Sequence, residues 1–524
     1  MNFGNGIFGT VKEEHPVVQT DKGPVSGERR GNIAVFRGIP YGKDTSGYRF
    51  LAPEEAEAWT EMRDCTKNGN FCWQTGTSIN INPDEGAHFS GQHPERFGAE
   101  SEVMSEDCLV VNVTTPGIDD KKRAVLFYIH GGGFAEGTGT LTIGSDDFVN
   151  EQDVVVVSLN HRLNLFGYMY LGGFDPKYRS SGVSGMLDII LALKWVKNNI
   201  TSFGGDPEKV TIMGESGGGA KVSTLMAMEE AKGLFRGAIV ESGSMAIANV
   251  SREEATENVK QLLKAGGFDE NDWQKLLTLP AEKLIEMMKT SGVRFNPVAD
   301  DIYLKYNEDG GFHSAVSAED VTVVIGCSED ELAGKRKKEL YTATEENLRD
   351  ELMKPQRTFG PASVALCNEN NVDAVLDVLY RTRKDGQDAN HLMNRVISIA
   401  TFGSAVAQMR AEASNKNRKK PLYAYLVAYD SQHPMYPDIK GMKYSWHTAD
   451  LPLQLRIVLN PESEQMSKTM SNALGAFVRS CDPSTEELYW PPYTIEDRKT
   501  MVFDDICHIE KEPLAELYEA FNKN

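Results

Sequence analysis

Lys209-Val-Thr-Ile-Met-Gly-Glu-Ser-Gly-Gly-Gly219 joins a β-branched run to a helix-like segment, and its reading decides how the rest of the chain is understood. A serine at position 216 held between Gly214 and Gly218 fits a sharp strand-to-helix turn, because a side chain at either glycine would collide with the neighbouring strand or helix. Such a turn lifts the Ser216 hydroxyl above the sheet edge and sets it at a helix N-terminus, where N–H groups and the helix dipole favour developing negative charge. The stretch reads as a nucleophile elbow. Taken alone it is equally a glycine-rich connection without chemistry, and its surroundings decide between the two.

Outward from the elbow, strand and helix patterns alternate. Upstream, Leu109-Val-Val-Asn-Val113, Ala124-Val-Leu-Phe-Tyr-Ile129 and Val154-Val-Val-Val-Ser-Leu159 read as strands, the second so apolar that burial on both faces is expected. Met186–Val196, interrupted only by Asp188 and Lys194, reads as a buried helix ending near Gly204-Gly-Asp-Pro207. Downstream, Phe235–Val240, Val321–Ile325 and Leu422–Val427 are further strands, and an amphipathic helix is expected near 465–479. Turn-punctuated runs between 20 and 50 predict an antiparallel hairpin region, and the polar stretch from Cys65 to Asp107 predicts a long surface loop. This alternation is that of an α/β protein with a mostly parallel sheet covered by helices on both faces. No linker or repeat divides the 524 residues, so one domain over 1–524 is expected, with helical insertions at about 251–320 and 345–415.

A serine hydroxyl needs a general base within hydrogen-bond reach, and that base needs an orienting acid. With the serine on such an elbow the partners follow in the order serine, acid, histidine. Five histidines follow Ser216. His447 stands in Trp446-His-Thr-Ala-Asp-Leu-Pro452, just where a loop after the strand at 422–427 reaches the sheet edge, and His433 in the same loop is its rival. Glu331 lies shortly after the strand at 321–325, with Glu329 and Asp330 as competitors, whereas Asp450 follows the histidine and breaks the order. Gly131-Gly132-Gly133, after a buried strand, and Gly217, beside the serine, can turn bare N–H groups toward a developing oxyanion. No dinucleotide or P-loop fingerprint is present.

A net charge of −21 repels polyanions and argues against nucleic acid as a partner. The first ten residues carry no basic and apolar export pattern and no run reaches membrane-span length, so a cytoplasmic protein is expected, with no membrane partner. Seven scattered cysteines without CxxC spacing argue against a disulfide framework and against zinc. The sequence sets no oligomeric state.

In combination these motifs make the chain resemble the type B carboxylesterases, the α/β-hydrolase family that includes the cholinesterases. The resemblance rests on Phe36-Arg-Gly-Ile-Pro-Tyr41, Cys72-Trp-Gln74, Glu106-Asp-Cys-Leu109, His130-Gly-Gly-Gly-Phe134, Asn160-His-Arg162, Phe203-Gly-Gly-Asp-Pro207, Gly214-Glu-Ser-Gly-Gly218 and the His447 segment. It implies Ser216 as nucleophile, His447 as base, Glu331 as orienting acid, and the N–H groups of Gly132, Gly133 and Gly217 as oxyanion donors. It further implies cleavage of small carboxylic esters through an acyl-enzyme, with no cofactor or metal. Amide, lactone or carbamate cleavage by the same triad and a non-catalytic scaffold are its rivals. Two departures stand out: Gly217 replaces a common alanine, which is expected to loosen the turn, and no tryptophan occurs between Gln74 and Glu106 to bind a choline cation. Secreted relatives link the positions of Cys72 and Cys108; here two reduced thiols are expected.

Overall fold

The computed structural model describes residues 15–75, 103–140, 146–243, 250–305, 319–333, 341–357, 363–432, 443–458 and 460–523. Among them eleven strands form one sheet, in the spatial order His508–Lys511, Lys499–Phe503, Leu422–Val427, Thr322–Ser328, Gly237–Glu241, Gly205–Glu215, Arg123–Ile129, Val155–Leu159, Val110–Thr115, Ile33–Pro40 and Glu28–Arg30. From Lys499–Phe503 to Val155–Leu159 the strands run parallel, and those outside this range pair antiparallel. The elbow strand, Gly205–Glu215, is the middle strand of the eleven and lies within the parallel part.

Alternation along a strand explains why its sequence is apolar throughout. In Arg123–Ile129, Val125, Phe127 and Ile129 enter one core and Ala124, Leu126 and Tyr128 the other. Helix Ser184–Asn199 packs into the first core through Met186, Ile189, Ile190 and Leu193. Helix Glu464–Ser480 fills the second with Met466, Met470, Leu474 and Phe477. With helices on both faces of a mostly parallel sheet, this is the α/β-hydrolase architecture.

Two expectations need correction. The stretch from Cys65 is not a surface loop as far as it is described: Cys65, Cys72 and Gln74 are buried, and the Gln74 carboxamide accepts from Gly137 N at 2.8 Å while donating to Gly137 O at 3.2 Å. Its polar residues satisfy main chain inside the fold instead of meeting water, and residues 76–102 lie outside the described part. The region 345–415 is not wholly helical, because Pro355–Arg357 pairs with Ser363–Ala365 as a hairpin. Pro355 cannot continue helix Leu348–Met353. Helices Val372–Arg381, Ala389–Phe402 and Ser404–Ser414 follow it, and the insertion at 251–320 supplies helices Arg252–Ala265 and Ala281–Ser291. Among the described residues no helix is long and apolar enough to cross a membrane. All seven cysteines are free thiols, and the buried Cys108 thiol lies in hydrogen-bonding contact with Cys72, which with burial drives its pKa well up.

Candidate active site

Ser216 terminates the elbow strand and caps helix Gly217–Met226 with φ 56° and ψ −121°, a left-handed backbone that costs a non-glycine residue about 1–3 kcal/mol. The turn is pinned on both sides: Ser216 N donates to Glu241 O at 2.8 Å, and Ser216 O accepts from Ala220 N at 3.0 Å. A methyl group on Gly214 would overlap the main chain of Gly218, and one on Gly218 would overlap the Ile129 carbonyl. Both flanking glycines are therefore steric requirements of the sharp turn.

Glu331 and His447 meet at the same sheet edge. Glu331 lies just beyond strand Thr322–Ser328, fully buried, and its Oε2 is hydrogen-bonded to His447 Nδ1. Its Oε1 accepts from Ser242 Oγ at 2.5 Å and from Ser328 N at 2.9 Å. The main chain adds to this, since His447 N donates to Glu331 O at 2.9 Å, and Glu331 N donates to Ser398 Oγ at 2.8 Å. The imidazole packs on Phe402 with ring centroids 4.9 Å apart, and its Nε2 is 3.2 Å from Oε1 of Glu215, the residue next to Ser216. Nδ1 is thus committed to Glu331 while Nε2 faces the elbow.

The competitors are placed elsewhere. Glu329 pairs with Lys384 at 3.0 Å and Arg395 at 3.4 Å. Asp330 is buried beside Ser445, its amide donating to Ser445 Oγ at 3.1 Å, and burial pushes its carboxyl pKa well up. Asp450 accepts from Tyr425 Oη at 2.7 Å. His391 caps its own helix with Asp388, and His508 pairs with Glu510. His433 lies outside the described residues.

The glycine run after strand Arg123–Ile129 lies against the elbow because that strand and the elbow strand are neighbours, Ile129 opposite Gly214. Gly132 and Gly133 both have positive φ, 87° and 64°, which only glycine adopts without strain. A methyl on Gly131 would sit 3.6 Å from Ser216 Cβ. A methyl on Gly217 would overlap the main chain of Gly133, so glycine at 217 does not loosen the turn: the glycine loop fills the space instead. The helix dipole and the first-turn N–H groups at Gly217 and Gly218 point to the same edge.

Several polar residues here were not legible as site residues. Lys221 is fully buried, and its Nζ donates to His130 O at 3.0 Å and Gly133 O at 2.8 Å. Burial draws its pKa down to about 7. His130 and His161 stack with centroids 5.0 Å apart, and burial with the nearby Lys221 charge takes His130 down to about 3. The visible signal was a lysine set in Gly-Gly-Gly-Ala-Lys-Val, where every neighbour is small or apolar. Ser398 carried no signal, since its contact to Glu331 spans 67 positions of sequence. Among the described residues no group of three or more His, Cys, Asp or Glu side chains is arranged to hold a metal ion.

The family model described as "Carboxylesterase family" matches residues 14–519. The para-nitrobenzyl esterase of Bacillus subtilis (strain 168) is 30% identical over 523 residues, covering 96% of this chain and 97% of its own. The acetylcholinesterase of Bungarus fasciatus is 28% identical over 500 residues, covering 88% of this chain and 78% of its own. Among solved structures, an esterase from Clostridium hathewayi that can hydrolyse aliphatic aromatic polyesters superposes with TM-score 0.78 at 28% identity, over 97% of this chain and 98% of that one.

Proposed function

This chain belongs to the carboxylesterase family and is a serine hydrolase of carboxylic esters, and we propose that Ser216, His447 and Glu331 are its triad. The observation that carries the assignment is the Glu331–His447 hydrogen bond at the sheet edge where Ser216 stands on a strained turn. His447 Nε2 takes the Ser216 proton as Oγ attacks the ester carbonyl, and Glu331 holds the Nδ1–H tautomer and stabilises the imidazolium. Glu215, beside Nε2, adds a second carboxylate that favours the charged ring. The tetrahedral oxyanion is received by the N–H groups of Gly132, Gly133 and Gly217, each such donor being worth about a hundred- to a thousandfold in rate. The imidazolium then protonates the departing alkoxide, and His447 activates the water that cleaves the acyl-enzyme.

The test is initial rates on p-nitrophenyl esters of increasing acyl length for the wild type and Ser216→Ala. The wild type turns over and the variant falls to background; a variant that keeps its rate removes Ser216 from the mechanism. Placement in a reducing cytoplasm is supported by the odd, scattered set of seven cysteines. The charge of −21 supports the absence of nucleic acid among its partners.

A further inference from the structure

Helix Gly217–Met226 carries its one lysine into the interior, against the glycine loop. Lys221 Nζ donates to the carbonyls of His130 at 3.0 Å and Gly133 at 2.8 Å, so it grips both ends of the Gly131–Gly133 run, and it lies 5.7 Å from the centre of the Phe134 ring. A glycine run has more backbone freedom than any other stretch of its length, and an oxyanion site works only if its donors are held in place before reaction. Two carbonyls fixed by one side chain remove most of that freedom.

A second observation, independent of the lysine, points the same way. The main chain of Gly133 occupies the volume that a side chain at position 217 would need. The loop is drawn down onto the first turn of the helix until the residue after the nucleophile has no room for a Cβ.

We propose that Lys221 is a positioning residue that clamps Gly131–Gly133 onto the elbow, sets the oxyanion donors and thereby makes glycine obligatory at position 217. The proposal rests on the triad and oxyanion reading above. The clamp does not depend on which form of the lysine is present, because the neutral amine still offers two N–H donors for two carbonyls. Its titratable neighbours are the buried His130 and His161, on which its charge acts.

The test is a cycle of wild type, Lys221→Met, Gly217→Ala and the double variant, with Ser216→Ala as control. kcat and KM are measured on p-nitrophenyl butyrate, inhibition by a trifluoromethyl ketone reports transition-state affinity, and thermal unfolding reports the fold. Lys221→Met is expected to lower kcat about ten- to a hundredfold with KM within about twofold, and to weaken the ketone by the factor lost in kcat/KM. Gly217→Ala alone is expected to lose at least about a hundredfold, yet to cost less than about threefold once the clamp is gone, because the released loop can move aside. The proposal is overturned if Lys221→Met keeps its kcat, if Gly217→Ala is wild-type-like, or if the two losses multiply in the double variant. Should Lys221→Met not fold, Gly217→Ala decides alone: full activity overturns the proposal and a loss supports it. An active Ser216→Ala would sink the triad reading itself, whereas an inactive one beside an unaffected Lys221→Met sinks only the clamp.

Discussion

Glu331 is divided between two tasks, one oxygen on His447 Nδ1 and the other on Ser242 Oγ and Ser328 N. An amide in its place keeps the volume but offers only one acceptor oxygen, so the ring loses its charged partner or the tautomer reverses. Glu331→Gln is therefore expected to lower kcat by about a thousand- to ten-thousandfold with KM little changed. Glu329→Gln, which loses ion pairs to Lys384 and Arg395, is expected to stay within about threefold of wild type. Steady-state rates on one ester check both, and the reverse ordering would transfer the acid role to Glu329. At this scale the proposed triad positions could be picked out in the sequence because the topology of the α/β-hydrolase sheet sets the order serine, acid, histidine along the chain, and the loop after each strand sets their edge. Lys221 was not, because a lysine on a helix is ordinarily solvated and only the three-dimensional placement of the glycine loop shows what it holds.

Asp188 shows the same limit for a whole element. In the sequence it merely interrupts an apolar helix, but in the fold it is fully buried and both its oxygens are taken up by Arg162: Oδ1 at 2.6 Å, and Oδ2 at 2.9 Å from Nε and 3.0 Å from the amide. Arg162 also donates to Leu51 O at 2.9 Å, so the pair ties helix Ser184–Asn199 to the loop after strand Val155–Leu159 and to the N-terminal segment. Leaving a buried guanidinium without its charge partner typically costs about 3–5 kcal/mol. Asp188→Ala is expected to lose about that much in urea unfolding, and a loss under about 1 kcal/mol would mean the pair is not what joins these elements. The long parallel strands were legible because both faces are buried, which writes an unbroken apolar run into each. The hairpin at 355–365 and the buried path of 65–75 were not, since three-residue strands carry no period and the Gln74 bonds are made to a loop more than sixty positions away.

The parallel strands from Leu422–Val427 to Val155–Leu159 each contribute to two cores at once, alternate positions facing opposite sides, so neither side can melt while the other keeps these strands in place. The inserted helices share in this. Val259, Leu262 and Leu263 of Arg252–Ala265, and Leu392, Met393 and Val396 of Ala389–Phe402, belong to the same cluster as Val125 and Phe127 of the sheet. An insertion that packed only on itself would form its own cluster and its own transition. Among the described residues the shared core predicts one cooperative unit. Calorimetry under reversible conditions is expected to show a single unfolding transition, with near-UV and far-UV circular dichroism changing together. An earlier far-UV change, with near-UV signal and esterase activity retained, would show that the inserted helices unfold on their own and that the single unit is the wrong description.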